Sequence, residues 1–552
     1  MTATLARLEG QARTRRGNAL TGTGTLIRFM LRRDRVRLPA WIVGVTLFMA
    51  SVASSLPGLY PEAADRQARA TLMENPGTRA MSGPGYGLDD YTFGAMISNE
   101  YVSWLALAVA LMTIFAVVRH TRADEETGRA ELVRSSPVGR HAATTAALVV
   151  ACGASITLGV TIAVALGSLG LESVGWGSSL LFGTALASVG MVFAGAAAVT
   201  VQLSQHARGA SGLAGATFAL AFVVRSAGNV SETGGGLLSW LSPIGWAHQT
   251  RVYVDDRWWP LLLSLALTGI LVSAAYRLST RRDVGASLIH ARPGRAHAPA
   301  GLSSPLGLAW RLQRTGLAWW SAAIFVVALF YGTLVTELEE FVAELSAIQD
   351  ALADIGGTVV DAWLAVIIGW MVIVVAVFAV LTVGRARSEE NSGRAEPVLA
   401  TRVSRTRWLR SHVLVALVGS AFFIVLTGFG LGLSISLTLD DSDMLWRVLG
   451  AALVHVPAIW LVVGMAVALF GVAARATPLV WVVIAYAGAV GWLGTLLGLP
   501  QWAANLSPMS HTPMLPAEQM RWLPLIVGAV VATVLVAVGL AGFRRRDLQG
   551  TV

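Results

Sequence analysis

Long apolar runs without charge are the feature of this sequence that most restricts its fold. Residues Trp363 to Val383 contain no charged side chain. Several other runs reach about 20 residues, which is enough to cross a ~30 Å hydrocarbon core as a helix. Hydrophobic residues form 55% of the chain and charged residues only 13%, unlike the composition of soluble domains. The sequence therefore predicts an all-α polytopic membrane protein.

The chain also repeats itself. RADEETGRAE at 122–131 returns as RSEENSGRAE at 387–396, with the shared glycine displaced by 265 residues (393 − 128). We call these two segments the GRAE elements. Leu241-Ser242-Pro243 returns at Leu506-Ser507-Pro508, and Arg281-Arg282-Asp283 returns at Arg545-Arg546-Asp547. Near-constant displacement over this length indicates a tandem duplication.

The apolar runs predict about twelve transmembrane helices, six in each tandem repeat. We expect a cytoplasmic tail with an amphipathic interfacial helix at 1–37 and a first six-span repeat at 38–290. A cytoplasmic linker with a second interfacial segment is expected at 291–318, and a second six-span repeat at 319–552. The predicted spans lie near 38–56, 103–118, 144–169, 178–201, 209–224, 260–275, 319–335, 363–383, 412–437, 445–473, 478–497 and 523–542.

The arginine distribution predicts the orientation. The segments at 119–140, 277–314 and 384–410 are basic, as are both ends of the chain, whereas the alternating segments are neutral or acidic. Because basic residues collect on the cytoplasmic side, both termini and both GRAE elements are expected there, in the inner (plasma) membrane. One of the opposite segments, 337–355, has the pattern of an outer amphipathic helix.

Several function classes are disfavoured by what the sequence contains. All of its basic charge is arginine, so the lysine that a P-loop places on ATP phosphates is missing. The net charge of +9 follows the membrane topology, which gives no reason to expect nucleic acid. Neither a zinc motif nor a histidine pair is present, since His248 and His455 stand apart. The acidic turn at 440–443 has no second acidic motif, which disfavours a magnesium-dependent membrane transferase.

Few ionisable residues fall inside the predicted spans. Arg225, Asp361 and Arg475 all lie near predicted span ends. Transporters driven by ion gradients usually need carboxylates or histidines within the membrane as relays. Their scarcity here argues against an ion-gradient-driven secondary multidrug transporter, which we keep as the alternative hypothesis.

The GRAE elements are the candidate functional site. A solvated loop would not require that both repeats retain carboxylates and a glycine at one fixed place, whereas a charged short helix suits docking on a soluble partner. The residues expected to couple to such a partner are Asp124, Glu125, Glu126, Gly128, Arg129 and Glu131 in the first element and Glu389, Glu390, Gly393, Arg394 and Glu396 in the second.

The order of these features resembles ABC-2-type permeases. That family has an amphipathic helix, two spans, a segment of the form E-x-G-R-x-E, four more spans and an L-S-P loop before the sixth. The fused, lysine-free, twelve-span form is similar to actinobacterial exporters of polyketide antibiotics of the tetronasin type. The resemblance implies separate ATP-binding subunits, two copies, which hold ATP and Mg²⁺ while this chain holds no cofactor and no metal. It also implies a hydrophobic or amphipathic small-molecule substrate.

The second element departs from the motif of the first. At the 265-residue displacement, Leu132 corresponds to Pro397 and Pro137 to Arg402. The two copies are therefore not expected to dock identically.

Overall fold

The computed structural model describes residues 19–282, 288, 297–335, 358–493 and 500–547. Within these ranges the regular structure is helical and no strand occurs. Twelve helices are long and apolar enough to cross a membrane. The prediction of an all-α polytopic membrane protein with twelve spans is confirmed, whereas the helix expected at 337–355 lies outside the described residues.

The twelve spans are numbered in chain order. They are Arg37–Leu59, Phe93–Glu126, Ala142–Ser168, Trp176–Leu203, Ala207–Ser231, Pro260–Ser279, Pro305–Thr333, Val360–Asn391, Arg405–Leu439, Asp443–Val472, Ala474–Gly491 and Trp522–Arg545. Shorter helices occupy the connections, namely Thr23–Arg33, Ala63–Glu74, Pro76–Met81, Arg129–Arg134, Leu237–Leu241, Pro243–Gln249, Ala300–Ser303, Ala395–Leu399 and Gln501–Ala504. The chain divides into two compact units, Met1–Pro293 and Gly294–Val552, with six spans in each.

Two spans begin ten or more residues earlier than hydropathy predicts, span 2 by 103 − 93 = 10 and span 7 by 319 − 305 = 14. Span 7 starts at Pro305, where the Ser304 side chain caps the helix and proline occupies its first turn, a favoured arrangement. It continues through Arg311 and Arg314 without a break. Span 2 starts at Phe93 behind the capping side chain of Thr92. In both cases polar residues in the first turns made the helix look shorter than it is.

The predicted N-terminal amphipathic helix is present as Thr23–Arg33. Leu26 and Met30 are buried on its inner side, whereas Leu31 is 48% exposed. The chain then turns into span 1 at Asp34, a buried residue whose carboxylate receives His120 Nε2 at 2.6 Å. This contact fixes the amphipathic helix to the end of span 2.

Glycines allow the closest helix contacts in each unit. Spans 3 and 4 cross at Gly159 and Gly183, where a β-carbon on either residue would lie 2.3 or 2.0 Å from the other's carbonyl oxygen. Spans 10 and 12 meet in the same way at Gly471 and Gly539. In membranes, small residues at such crossings let helix backbones pack against each other directly.

We predict that Gly159→Val destabilises the protein, because the added methyl groups must separate spans 3 and 4. Overpacking of this kind costs roughly 1–3 kcal/mol. Gly153→Val on the same span is the matched control, since a β-carbon there meets nothing within 4 Å. The measurement is the thermal unfolding midpoint of each purified variant in detergent. Equal midpoints for the two variants would contradict the observed crossing.

Candidate functional site

Each GRAE element is a helical extension of a span, a glycine turn and a short second helix. In the first element, helix Arg122–Glu126 precedes Gly128 at φ +74°, and Arg129–Arg134 follows. In the second, span 8 runs on to Asn391 before Gly393 at φ +69° and helix Ala395–Leu399. A β-carbon at either glycine would meet no atom within 4 Å. Glycine is therefore favoured here by its left-handed backbone, which other residues adopt only with strain.

The first carboxylate of each element holds the element's own arginine. Asp124 lies 3.5 Å from Arg129, and Glu389 receives two hydrogen bonds from Arg394 at 2.8 and 3.1 Å. These pairs are equivalent in the repeat, and each ties the short second helix back to the end of its span. Asp124 also binds Arg33 of the amphipathic helix at 2.7 Å.

The second carboxylate of each element holds an arginine from the end of the unit. The Glu125 carboxylate accepts hydrogen bonds from Nη1 and Nη2 of Arg282 at 2.9 and 2.8 Å. It also forms an ion pair with Arg122 at 2.6 Å. Glu390 receives Nη2 of Arg546 at 2.8 Å. Arg282 and Arg546 belong to the repeated Arg-Arg-Asp motif, which was visible in the sequence although no partner could be assigned to it.

The remaining predicted residues lie further out. Glu126 accepts the backbone N–H of Ala207 at 3.0 Å and so caps the start of span 5. Glu131 and Glu396 are exposed, and Leu132 beside the former is 76% exposed. Each element therefore has an inner layer of carboxylates bound to the chain's own arginines and an outer layer that faces solvent.

At the opposite end of the first unit lies Arg225, which the sequence placed near a span end without assigning it a role. Arg225 in span 5 is fully buried and makes no ion pair with any described residue. Its Nη1 donates to Ser82 O at 2.9 Å and to Ser103 Oγ at 2.7 Å, and its Nη2 donates to Ala80 O at 2.6 Å. It thereby clamps the connection before span 2 onto spans 2 and 5.

His248 completes this cluster, a contact that the sequence did not predict. Its Nε2 lies 2.9 Å from Ser103 Oγ. Burial, and then the charge of Arg225, lower the pKa of His248 well below its ordinary value, which keeps the imidazole neutral. The described residues contain no group of three or more histidine, cysteine or carboxylate side chains that would hold a metal ion.

Comparison of the sequence with known proteins identifies its family. A model described as "Multidrug efflux system permease Rv1217c, C-terminal domain" matches residues 24–277 and 302–544. The chain belongs to this family. One curated relative is the multidrug efflux system permease protein Rv1217c of Mycobacterium tuberculosis (strain ATCC 25618 / H37Rv), 41% identical over 551 residues, which are 99% of this chain and 98% of that protein. The family confirms the predicted transport permease of a multidrug efflux system.

We predict that Arg225→Leu lowers the stability of this permease. The carbonyl oxygens of Ala80 and Ser82 lose the guanidinium donor and keep only the serine hydroxyls of Ser226 and Ser103. Loss of a hydrogen bond to a charged group costs roughly 1.5–3 kcal/mol. Arg277→Leu, on an exposed arginine of span 6, is the control. The measurements are the thermal unfolding midpoint and the rate of proteolysis within residues 76–91. If both variants unfold and cleave alike, Arg225 is not the clamp.

Proposed function

We propose that this chain is the membrane-spanning subunit of an ABC-2-type exporter driven by ATP. Its cargo is hydrophobic or amphipathic molecules, including antibiotics such as polyketides and other drugs. The GRAE elements dock separate ATP-binding subunits, one copy at each element. The observation that supports this most is the division of both elements into a braced inner layer and an exposed outer layer.

The outer layer is suited to docking because it is already held in place. We define the docking face as Arg129, Glu131 and Leu132 in the first element and as Arg394, Glu396 and Pro397 in the second. The inner ion pairs fix the short helices before any partner arrives, which reduces the ordering cost of association. The exposed side chain of Leu132 adds apolar surface that a docked partner can bury.

The energy source is proposed to lie on the partner. ATP and Mg²⁺ would bind to that subunit, whose P-loop lysine has no counterpart in the lysine-free chain. The relative named as a multidrug efflux permease supports the proposed drug cargo. Substrate itself would meet the apolar spans, which need no covalent chemistry to move it.

The buried carboxylates of the spans favour this proposal over an ion-driven transporter. Outside the GRAE elements, Glu100 and Asp361 are the buried carboxylates of the described spans. Glu100 pairs with Arg69 at 2.9 Å, and Asp361 pairs with Arg447 at 2.8 Å. Each of these carboxylates is thus held in an ion pair near the end of its span, whereas ion-driven transporters place ionisable relay residues along the pathway within the membrane.

The docking face is tested by charge reversal. We expect Glu131→Arg to place a like charge where a partner cation is needed, a change that typically costs a few kcal/mol when the pair is desolvated. Glu396→Arg should act in the same direction but less strongly, since Pro397 stands at the position that corresponds to Leu132. The measurement is the amount of ATP-binding subunit that co-purifies, together with ethidium efflux from cells.

Glu232→Arg is the matched control, because Glu232 is exposed at the opposite end of the first unit. It should leave co-purification unchanged. Normal association and normal efflux in the Glu131→Arg/Glu396→Arg double variant would remove the docking role and favour the ion-gradient alternative.

The proposed topology is a multi-pass plasma-membrane protein with both termini and both GRAE elements in the cytoplasm. With Cys152 replaced by serine, single cysteines at Leu132 and Pro397 should react with an impermeant maleimide only after cells are opened. A cysteine at Leu237, which is 83% exposed at the opposite end, should react in intact cells. Labelling of the cysteine at position 132 in intact cells would show that the first GRAE element faces outward and would contradict the proposed topology.

A further inference from the structure

One ion pair occurs in the same place in both units. Arg282, just beyond span 6, binds Glu125, and Arg546, at the end of span 12, binds Glu390. The partners are 157 residues apart in the first unit and 156 in the second. In each unit, therefore, the GRAE element directly contacts the end of the last span although a large part of the chain separates them.

The pair is also braced on a third side in both units, by different chemistry. Arg282 Nε donates to Gln202 Oε1 in the last turn of span 4 at 2.5 Å. Arg546 instead lies over the rings of Phe470, near the end of span 10, and Phe543 of span 12, at 5.3 and 5.4 Å from their centroids. The ion pair is thus retained where the supporting contact has changed.

The first carboxylate of each element does not share a contact with a distant helix in this way. The bridge from Arg33 to Asp124 joins the N-terminal helix to the first element. The corresponding carboxylate of the second unit, Glu389, binds Arg394 and Arg385 of its own segment. Among these ion pairs of the described residues, the pair with the end of the last span is therefore the connection to a distant span that both elements share.

We infer that these two pairs are latches that make the last span of each unit move together with its GRAE element. This inference rests on the proposed function, since the force would come from a docked ATP-binding subunit. Arg282 and Glu125 are 8% and 10% exposed, and Arg546 and Glu390 are 14% and 3% exposed. Separating such a shielded pair leaves uncompensated charge on both sides, so the latch stays closed while the element moves.

The test places a reporter at the far end of each latched span. Single cysteines replace Trp258, directly before span 6, or Trp522, at the start of span 12, with Cys152 changed to serine. Both tryptophans are exposed. The rate of maleimide labelling is measured in the complex with the ATP-binding subunit, with and without trapped ADP-vanadate. With intact latches, trapping should change the rate at least about fivefold, a typical coupling between distant sites.

The latch variants are Glu125→Gln and Arg282→Gln for the first unit and Glu390→Gln and Arg546→Gln for the second. Each should reduce the nucleotide-dependent change in its own unit to less than about twofold, below the usual range for coupled sites. Co-purification with the ATP-binding subunit should persist, because the docking face is untouched. Glu518→Gln is the control, since its ion pair with Arg521 is exposed and lies outside the latch.

The outcomes separate the latch from the proposed function. If trapped nucleotide does not change the labelling rate in the unaltered complex, the latch is overturned. The same holds if nucleotide changes the rate equally in the latch variants. Neither result contradicts docking of the ATP-binding subunit. Loss of co-purification in the glutamine variants also overturns the latch, because the pair would then only support the docking face. Failure of the unaltered chain to bind any ATP-binding subunit defeats the proposed function itself.

Discussion

Compensation of buried charge is the constraint on which this structure depends. A charge placed in the low-dielectric interior of a helical bundle is costly unless an opposite charge or several hydrogen-bond acceptors surround it. Each buried carboxylate of the described residues, and the nearly buried Glu125, meets a cation of its own unit: Asp34 with Arg119, Glu100 with Arg69, Glu125 with Arg282, Asp361 with Arg447, Glu389 with Arg394 and Glu390 with Arg546. These pairs lie at the ends of spans, where they fix connections rather than line a path through the bundle.

This compensation also explains which parts of the fold were predictable from the sequence. Apolar runs identified all twelve spans, because hydrophobic length alone decides whether a helix crosses a membrane. Glu100 was placed outside span 2, since hydropathy treats a charge as a span end. In the structure Arg69 neutralises it within the helix. The partner lies in a preceding helix, and its proximity cannot be read from local pattern.

The candidate site shows the same division. Duplication located both GRAE elements and their glycines, because equal displacement of a motif is a property of the sequence. It did not separate Glu125 from Glu131, although one is bound to Arg282 and the other is exposed. That distinction depends on which side of the element faces the last span. The repeated Arg-Arg-Asp motif was the available signal, and only the fold supplies its partner.

The two units have diverged unequally from their common plan. The inner ion pairs recur in both, whereas the clamp around Arg225 has no equivalent, since the positions displaced by 265 residues from Ser103 and Arg225 are Ile368 and Val490. The docking face differs as well, with Pro397 in place of Leu132. A separate six-span chain that assembled as a symmetric dimer would carry any such change twice. Fusion of the repeats removes that requirement, so the exposed residues of the two elements can differ while the ion pair with the end of the last span remains the same.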